Sequence, residues 1–285
     1  MKYGNIQPII KWSGSKRSQA AEIIYRAFPD VIETYYEPFC GGLSVGINLM
    51  LSGKKVNKYV FSDVDSNLIA LWETIKKQPE DLAKYYRKRQ ELMDEFSHGD
   101  VVKQREYYSI VRDTFNNFHN PMDFMFLNRT CFNGLIRYNS EGKFNTPFHL
   151  NRTGIEPDKF DRIVNEWSKL LNDNNTVFKC CDFAEWKPSE NDFVYLDPPY
   201  ANTKGMYEEA FDNKRLFDWM ATLECPYALS YNGISGDEDN TFDVPIALYN
   251  KKLSIKSGNS SYKRLKTENK HTDVYESLYI KGIAK

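Results

Sequence analysis

Asp197, Pro198, Pro199 and Tyr200 follow one another in the chain, and together they could handle an amine carried on a flat ring. A carboxylate and the carbonyl of a proline-held loop are both acceptors, which is what an exocyclic NH2 group needs, and a tyrosine ring can stack on a heterocycle. The five residues before them, Asp192-Phe193-Val194-Tyr195-Leu196, are apolar and rich in strand-forming types, so they read as a buried strand. Neither proline can donate to a ladder, so the strand stops there. In open α/β sheets ligands bind outside the carboxyl ends of the strands. A lone Asp-Pro would read as a solvated turn; an acid, a rigid turn and an aromatic ring together at a strand end favour a site.

Other segments repeat the pattern of strand, then polar turn. Tyr35-Tyr36-Glu37-Pro38-Phe39-Cys40-Gly41-Gly42 reads as strand and glycine turn, followed by an apolar helix from Leu43 that ends near Gly53. Such a turn lets backbone amides approach a ligand. Its spacing, Gly41-Gly42 and then Gly46, is not G-x-G-x-x-G, which counts against a nicotinamide enzyme. Tyr59-Val60-Phe61-Ser62-Asp63 ends in an acid about 20 residues beyond the glycine turn, a place suited to ribose hydroxyls. Asp65 competes for that role, or caps the helix that starts near Ser66. Thr176 to Phe183 is another strand that runs into an acid, Asp182. Near the start, Lys11-Trp12-Ser13-Gly14-Ser15-Lys16 offers a flat ring, a permissive glycine and a cation ahead of a helix that Ser15 or Ser18 could cap.

Between Ser66 and about Asp158 the alternation of strand and helix lapses. Leu68 to Leu92 and Tyr107 to Phe118 have helical periodicity, which marks an inserted helical module. Inside it, Leu135–Tyr138 and Lys143–Thr146 read as two strands joined by Asn-Ser-Glu-Gly. Further on, Phe211 to Met220 reads as a helix, and Tyr227–Tyr231 and Asp273–Ile280 as strands. Lys251, Lys252, Lys256, Lys263, Arg264, Lys266 and Lys270 make the C-terminal part locally basic, as a loop on a phosphate backbone would be.

The bulk numbers are those of an ordinary globular protein. The chain has 285 residues, 41% hydrophobic and 27% charged, within the range of folded domains. Its net charge is −1, so any nucleic-acid contact must come from local basic patches. The five cysteines form no C-x-x-C pair, which fits reduced thiols better than disulfides or zinc. No opening segment patterns as a signal peptide, and no apolar run is long enough for a membrane span.

Read together, these segments resemble, in order and over nearly the whole chain, the Dam-type family of S-adenosylmethionine-dependent DNA adenine-N6 methyltransferases. Asp197 to Tyr200 is similar to that family's amino-methyltransferase motif, in which Asp at the first position points to adenine. The string from Asn128 to Phe148 resembles its recognition hairpin, with Phe132 where the closest relatives carry Tyr. The resemblance implies an α/β, Rossmann-like methyltransferase core (1–65 and 159–285) with an inserted, mainly α-helical target-recognition domain carrying a β-hairpin (66–158). It implies Asp197, Pro198 and Tyr200 as catalytic residues. For S-adenosyl-L-methionine it implies Trp12, Gly14, Lys16, Glu37, Phe39, Gly41, Asp63, Asp182, Phe183 and Asp197. For double-stranded DNA it implies Lys11, Arg129, Phe132, Asn133, Leu135, Arg137 and Pro147, with Phe132 as a wedge in the base stack and Arg137 on a guanine.

No metal is expected. The expected protein is a monomer that methylates a flipped adenine, with GATC as its target, in the cytoplasm of a bacterial or phage-infected cell and in association with the nucleoid. A methyltransferase of RNA or of cytosine N4, and a catalytically silent DNA-binding regulator on the same fold, are the rival readings.

Overall fold

The computed structural model describes residues 6–151, 154–199, 211–235, 238–259 and 273–282. Tyr200 and the basic stretch from Lys263 to Lys270 lie outside the described residues. The chain forms two compact units, one built from Lys16–Val64 and the chain from Cys181 onward, the other from Asn5–Ser15 and Asp65–Cys180.

The first unit begins with α1 (Ala20–Ala27), which buries Ala20, Ala21, Ile23, Ile24 and Ala27. Neither serine caps it, contrary to the sequence expectation. Gln19 holds the cap position without a side-chain bond, and Ser18 Oγ donates instead to the Ser257 carbonyl at 3.3 Å. The chain enters the helix through the amides of Gln19 and Ala20, which donate to the Lys16 carbonyl at 2.9 and 2.7 Å. Then come β1 (Val31–Glu37), α2 (Ser44–Met50) and β2 (Lys55–Asp63). The two strands are parallel, with Glu37 opposite Phe61. Helix α2 can lie against them because residue 46 is glycine: a Cβ there would come within 2.4 Å of the Phe61 ring and 2.8 Å of the Glu37 carboxylate.

The second unit carries α3 (Ser66–Lys77), α4 (Pro79–Ser97), α5 (Val101–Phe118), α6 (Pro121–Thr130), α7 (Pro157–Asp173) and β3 (Thr176–Cys180). Side chains set the starts of these helices. Asp65 accepts from the amides of Asn67 and Leu68, Asp100 from Val102 and Lys103, and Glu156 from Asp158 and Lys159; a cap of this kind stabilises by ~1 kcal/mol. Leu68 to Leu92 is not one helix. Gln78 leaves helical geometry, and Pro79, which has no amide to give, opens the next helix. Trp72 of α3 packs on Trp167 of α7 at 5.2 Å and stacks on Phe178 of β3 at 6.1 Å, so residues 157–180 group with the helices.

The two strands expected at Leu135–Tyr138 and Lys143–Thr146 are absent as regular strands. Isolated bridges join Tyr138 to Phe144 and Cys131 to Phe148. Asn116 of α5 takes both main-chain groups of Phe144, donating to its carbonyl at 3.1 Å and accepting from its amide at 2.8 Å. The Asn139 carboxamide oxygen accepts from the amides of Glu141 and Lys143, so the reversal is an Asx-type turn. Two ladder bonds remain, from the Asn139 amide to the Lys143 carbonyl and from the Asn145 amide to the Arg137 carbonyl, both at 2.9 Å.

Back in the first unit, the chain forms β4 (Phe193–Leu196), α8 (Asn213–Ala221), β5 (Tyr227–Tyr231), two short strands β6 (Ile234–Ser235) and β7 (Glu238–Asp239), then β8 (Lys251–Asn259) and β9 (Asp273–Lys281). The first unit's sheet runs β2-β1-β4-β5-β9, parallel as far as β5. Strand β9 is antiparallel to β5, with Tyr231 opposite Ser277, and β8 is antiparallel to β9. All four residues of β4 are buried, as befits the middle of a parallel sheet. This is the α/β, Rossmann-like core that the family resemblance implies. The ends of β1, β2, β4 and β5 share one edge, which gathers Glu37, Asp63, Asp197 and Asn232.

Candidate active site

Asp197 leaves β4 at this edge, followed by buried Pro198. Lys16 reaches it: the ammonium lies 2.8 Å from Asp197 Oδ1 and 3.4 Å from Glu276 Oε2, and the lysine side chain is only 2% exposed. Burial works against a charge on Lys16, but the carboxylates of Asp197 and Glu276 outweigh it and hold its pKa above the ordinary lysine value. Position in the fold explains the meeting. Lys16 sits just before α1, and the antiparallel pairing of Tyr231 with Ser277 carries Glu276 one step past the end of β5. Glu276 was not expected at the site, because a glutamate near the end of the chain carries no local signal. It accepts from Ser257 Oγ of β8 at 3.1 Å.

Glu37, at the end of β1, is buried, and Tyr35 Oη donates to its Oε2 at 2.8 Å. Burial pushes its pKa up to about 8; the Tyr35 bond pulls it partly back, and the charge of Asp197 adds to the rise. Asp63, at the end of β2, accepts from the Gly41 amide at 3.3 Å. Asp65 is committed elsewhere: besides capping α3, it accepts from Tyr138 Oη at 3.1 Å. Asp182 caps a short 3-10 turn through the Ala184 amide and accepts a fork from Arg215 at 2.6 and 2.9 Å. Arg215 also lies over the Phe183 ring at 5.0 Å, and Phe39, Phe183 and Phe211 pack within 6.1 Å of one another. The first unit therefore brings together Lys16, Glu37, Phe39, Gly41, Asp63, Asp182, Phe183, Asp197 and Pro198 along or beside one sheet edge.

The second unit brings together most of the remainder. Lys11 and Asn128 pair reciprocally: the Lys11 amide donates to Asn128 Oδ1 and Asn128 Nδ2 donates to the Lys11 carbonyl, both at 2.8 Å. Asn128, fully buried, had no assigned role; its place beside Arg129 in the motif string was the signal available. Gly134 permits this packing, since a Cβ there would come within 2.2 Å of Lys11 Cβ. Arg129, largely buried, donates to the Ile9 carbonyl at 3.4 Å, and burial pulls its pKa down. Trp12 is half-buried and Gly14 exposed, with φ +74°. Phe132 is 45% exposed and stacks on His149. Asn133 adopts φ +55°. Leu135 is half-buried, and Arg137 and Pro147 are exposed, with Arg137 Nε donating to Asn145 Oδ1 at 2.9 Å.

These residues suit S-adenosyl-L-methionine in kind. An ammonium, two ribose hydroxyls and an aromatic amine all need acceptors, and the edge supplies Glu37, Asp63 and Asp182, with phenylalanine rings beside them for a purine. Among the described residues no cluster of histidine, cysteine or acid could hold a metal ion, and no helix is long and apolar enough to cross a membrane.

Comparison with known proteins agrees with this chemistry. Residues 12–242 match the D12 class N6 adenine-specific DNA methyltransferase family. The chain is 35% identical over 210 residues to the type II methyltransferase M.MjaIII of Methanocaldococcus jannaschii, covering 68% of this chain and 69% of that one. It is 31% identical over 201 residues to a DNA adenine methylase of Haemophilus influenzae, covering 68% and 64%. It is 28% identical over 218 residues to the type II methyltransferase M.FokI of Planomicrobium okeanokoites, covering 75% of this chain but 32% of that relative.

Proposed function

Because the chain belongs to the D12 class N6 adenine-specific DNA methyltransferase family, we propose that it methylates adenine N6 in double-stranded DNA at GATC, with S-adenosyl-L-methionine as donor. The observation that carries this reading is the Asp197-Pro198 turn at the carboxyl end of a fully buried parallel strand, with a row of acids beside it. The target base flips out of the duplex, at a cost of a few kcal/mol, and Phe132 fills or props the gap. Asp197 and the Pro198 carbonyl accept the two N6 hydrogens. This draws the nitrogen lone pair out of conjugation with the ring and aims it. Tyr200 stacks on the flipped base, a contribution of roughly 1–3 kcal/mol. When bound, the donor supplies a sulfonium methyl, and its loss of positive charge drives a direct displacement. The chain's own task is positioning.

Glu37, Asp63 and Asp182, with Trp12, Gly14, Lys16, Phe39, Gly41 and Phe183, hold the donor. Lys11, Arg129, Asn133, Leu135, Arg137 and Pro147 meet the DNA, and Arg137 reads guanine through its O6 and N7. The sheet-bearing unit is thus the catalytic part and the helical unit the recognition part of a monomer acting on cytoplasmic, nucleoid DNA.

The test is methyl transfer from labelled S-adenosylmethionine to two duplexes that differ only in GATC against GTTC. Label in the first alone, recovered as N6-methyladenine, supports both chemistry and target. Equal label keeps the chemistry and discards GATC. No label in either, nor in a panel of other DNA sites, overturns the reading.

A further inference from the structure

Lys16 is shared. Its ammonium sits 2.8 Å from Asp197 Oδ1 and 3.4 Å from Glu276 Oε2, almost out of reach of water. Under the function proposed above, Asp197 must offer an oxygen to the target amine, yet in this state Oδ1 already accepts from a cation. A buried ammonium released from one carboxylate needs another acceptor at once, because burying a charge without a partner costs several kcal/mol.

Glu276 is placed to supply it. Strand β9 runs antiparallel to β5 with Ser230 opposite Leu278 and Tyr231 opposite Ser277. By the two-residue period, Glu276 therefore faces the same side as Leu278 and Ser230. That side is also the side of Tyr195, whose hydroxyl is 2.7 Å from Ser230 Oγ, and Tyr195 and Asp197 are two residues apart at the end of β4. Ser257 Oγ donates to the other Glu276 oxygen at 3.1 Å, which leaves Oε2 directed at Lys16. The carboxylate is held from a second strand and is 15% exposed, so it is a built feature of the sheet edge and not a passing surface contact.

We propose that Glu276 is a positioning residue: it takes over the Lys16 ammonium when Asp197 turns to the amino group of the target adenine. Lys16 then moves less than the length of a hydrogen bond between two acceptors, and Asp197 turns Oδ1 to the amine without stranding a buried charge. The role rests on the adenine-methyltransferase reading, and it adds a residue from β9 to a site otherwise built from the ends of β1, β2 and β4, the glycine turn and the segments around Lys16 and Asp182.

The experiment measures binding, so it does not depend on turnover. With S-adenosylhomocysteine present, the affinity of the full chain is compared for two duplexes. One carries the adenine that the wild type methylates; the other carries purine, which lacks the 6-amino group, at that position. The wild type should prefer adenine. Glu276→Gln, of the same shape but uncharged, leaves Asp197 as the anionic partner of Lys16 among the described residues and should lose about tenfold of that preference, while its S-adenosylhomocysteine affinity stays within twofold. Adding Lys16→Met, with S-adenosylhomocysteine raised until it saturates the double variant, removes the competing cation and should restore the preference, a rescue that a merely structural glutamate would not show. A wild-type preference in Glu276→Gln, or a double variant no better than the single, overturns this role and leaves the methyltransferase reading standing. A wild type that methylates no DNA adenine overturns both.

Discussion

In the sheet-bearing unit the buried charges stand at strand ends: Glu37 closes β1, Asp197 follows β4, and Lys16 bridges to Glu276 of β9. In the helical unit they stand inside the packing. Arg89 of α4 pairs at 2.8 Å with Asp123 of α6, which is 1% exposed. Tyr85 donates to the same Asp123 oxygen, and Arg89 reaches Tyr85 and Tyr107. This cluster ties three helices together, and Asp123 in the first turn of α6 also faces the favourable end of the helix dipole. Most of the residues expected to meet DNA lie apart from it, on the irregular segment after α6, where Phe132, Asn133, Arg137 and Pro147 are exposed. The same kind of interaction therefore has two uses. At strand ends a ligand can take over one partner; among helices the pair is enclosed and serves cohesion.

Breaking the two clusters should give opposite results. Asp197→Ala should lower methyl transfer on the order of a thousandfold, with an unchanged circular dichroism spectrum; near-normal turnover would remove Asp197 from the chemistry. Glu37 should reveal itself through pH. Burial raises its folded-state pKa from 4.5 to about 8, so between those values the folded chain binds a proton that the unfolded chain has released. Stability should then fall as pH rises from about 5 to 8, by up to several kcal/mol at ~1.4 kcal/mol per unit. Glu37→Gln should flatten that decline in chemical denaturation, and a slope equal to wild type would place the raised proton elsewhere. If Glu37 receives the donor's ammonium, donor binding should release a proton in the same window and tighten as pH rises, measurable by calorimetry in buffers of different ionisation heat.

In the helical unit, Asp123→Ala should cost about 3 kcal/mol of unfolding free energy, because it leaves the Arg89 guanidinium without its carboxylate, while methyl transfer per folded molecule stays near wild type. A large catalytic loss with no change in stability would erase the contrast between the two units. Smallest in energy, Arg137→Ala should relax the preference at one base pair by about 1–3 kcal/mol and leave stability alone, since Arg137 is exposed; an unchanged preference would assign that base to another side chain.

The order of elements was legible in the residues themselves. Apolar runs that end in acids, the proline stop after Leu196 and the glycine turn after Phe39 are local signals, because strand and turn propensities act over a few residues. They sufficed for β1 to β5 and β9, for the sheet edge where Asp197 lies, and for the family, but not for β8, whose lysines read as a basic loop. Other local readings failed where longer-range contacts intervened. The expected strands shortened to one bridge between Tyr138 and Phe144, whose outer main-chain groups Asn116 holds, and Ser18 turned to the Ser257 carbonyl instead of capping α1. Asp65 was open between two roles until the α3 amides and Tyr138 claimed it.

The sequence alone determined which residues could do chemistry and which strands would carry them, since those depend on side-chain type and near neighbours. Only the tertiary structure decided that Glu276 shares Lys16 with Asp197, that Asn128 holds Lys11, and that α7 and β3 group with the helices. Those pairings join residues some 80 to 260 positions apart, and no short-range propensity encodes them: β9 returning against β5, the close approach allowed by Gly134 and the Trp72 packing all had to form first.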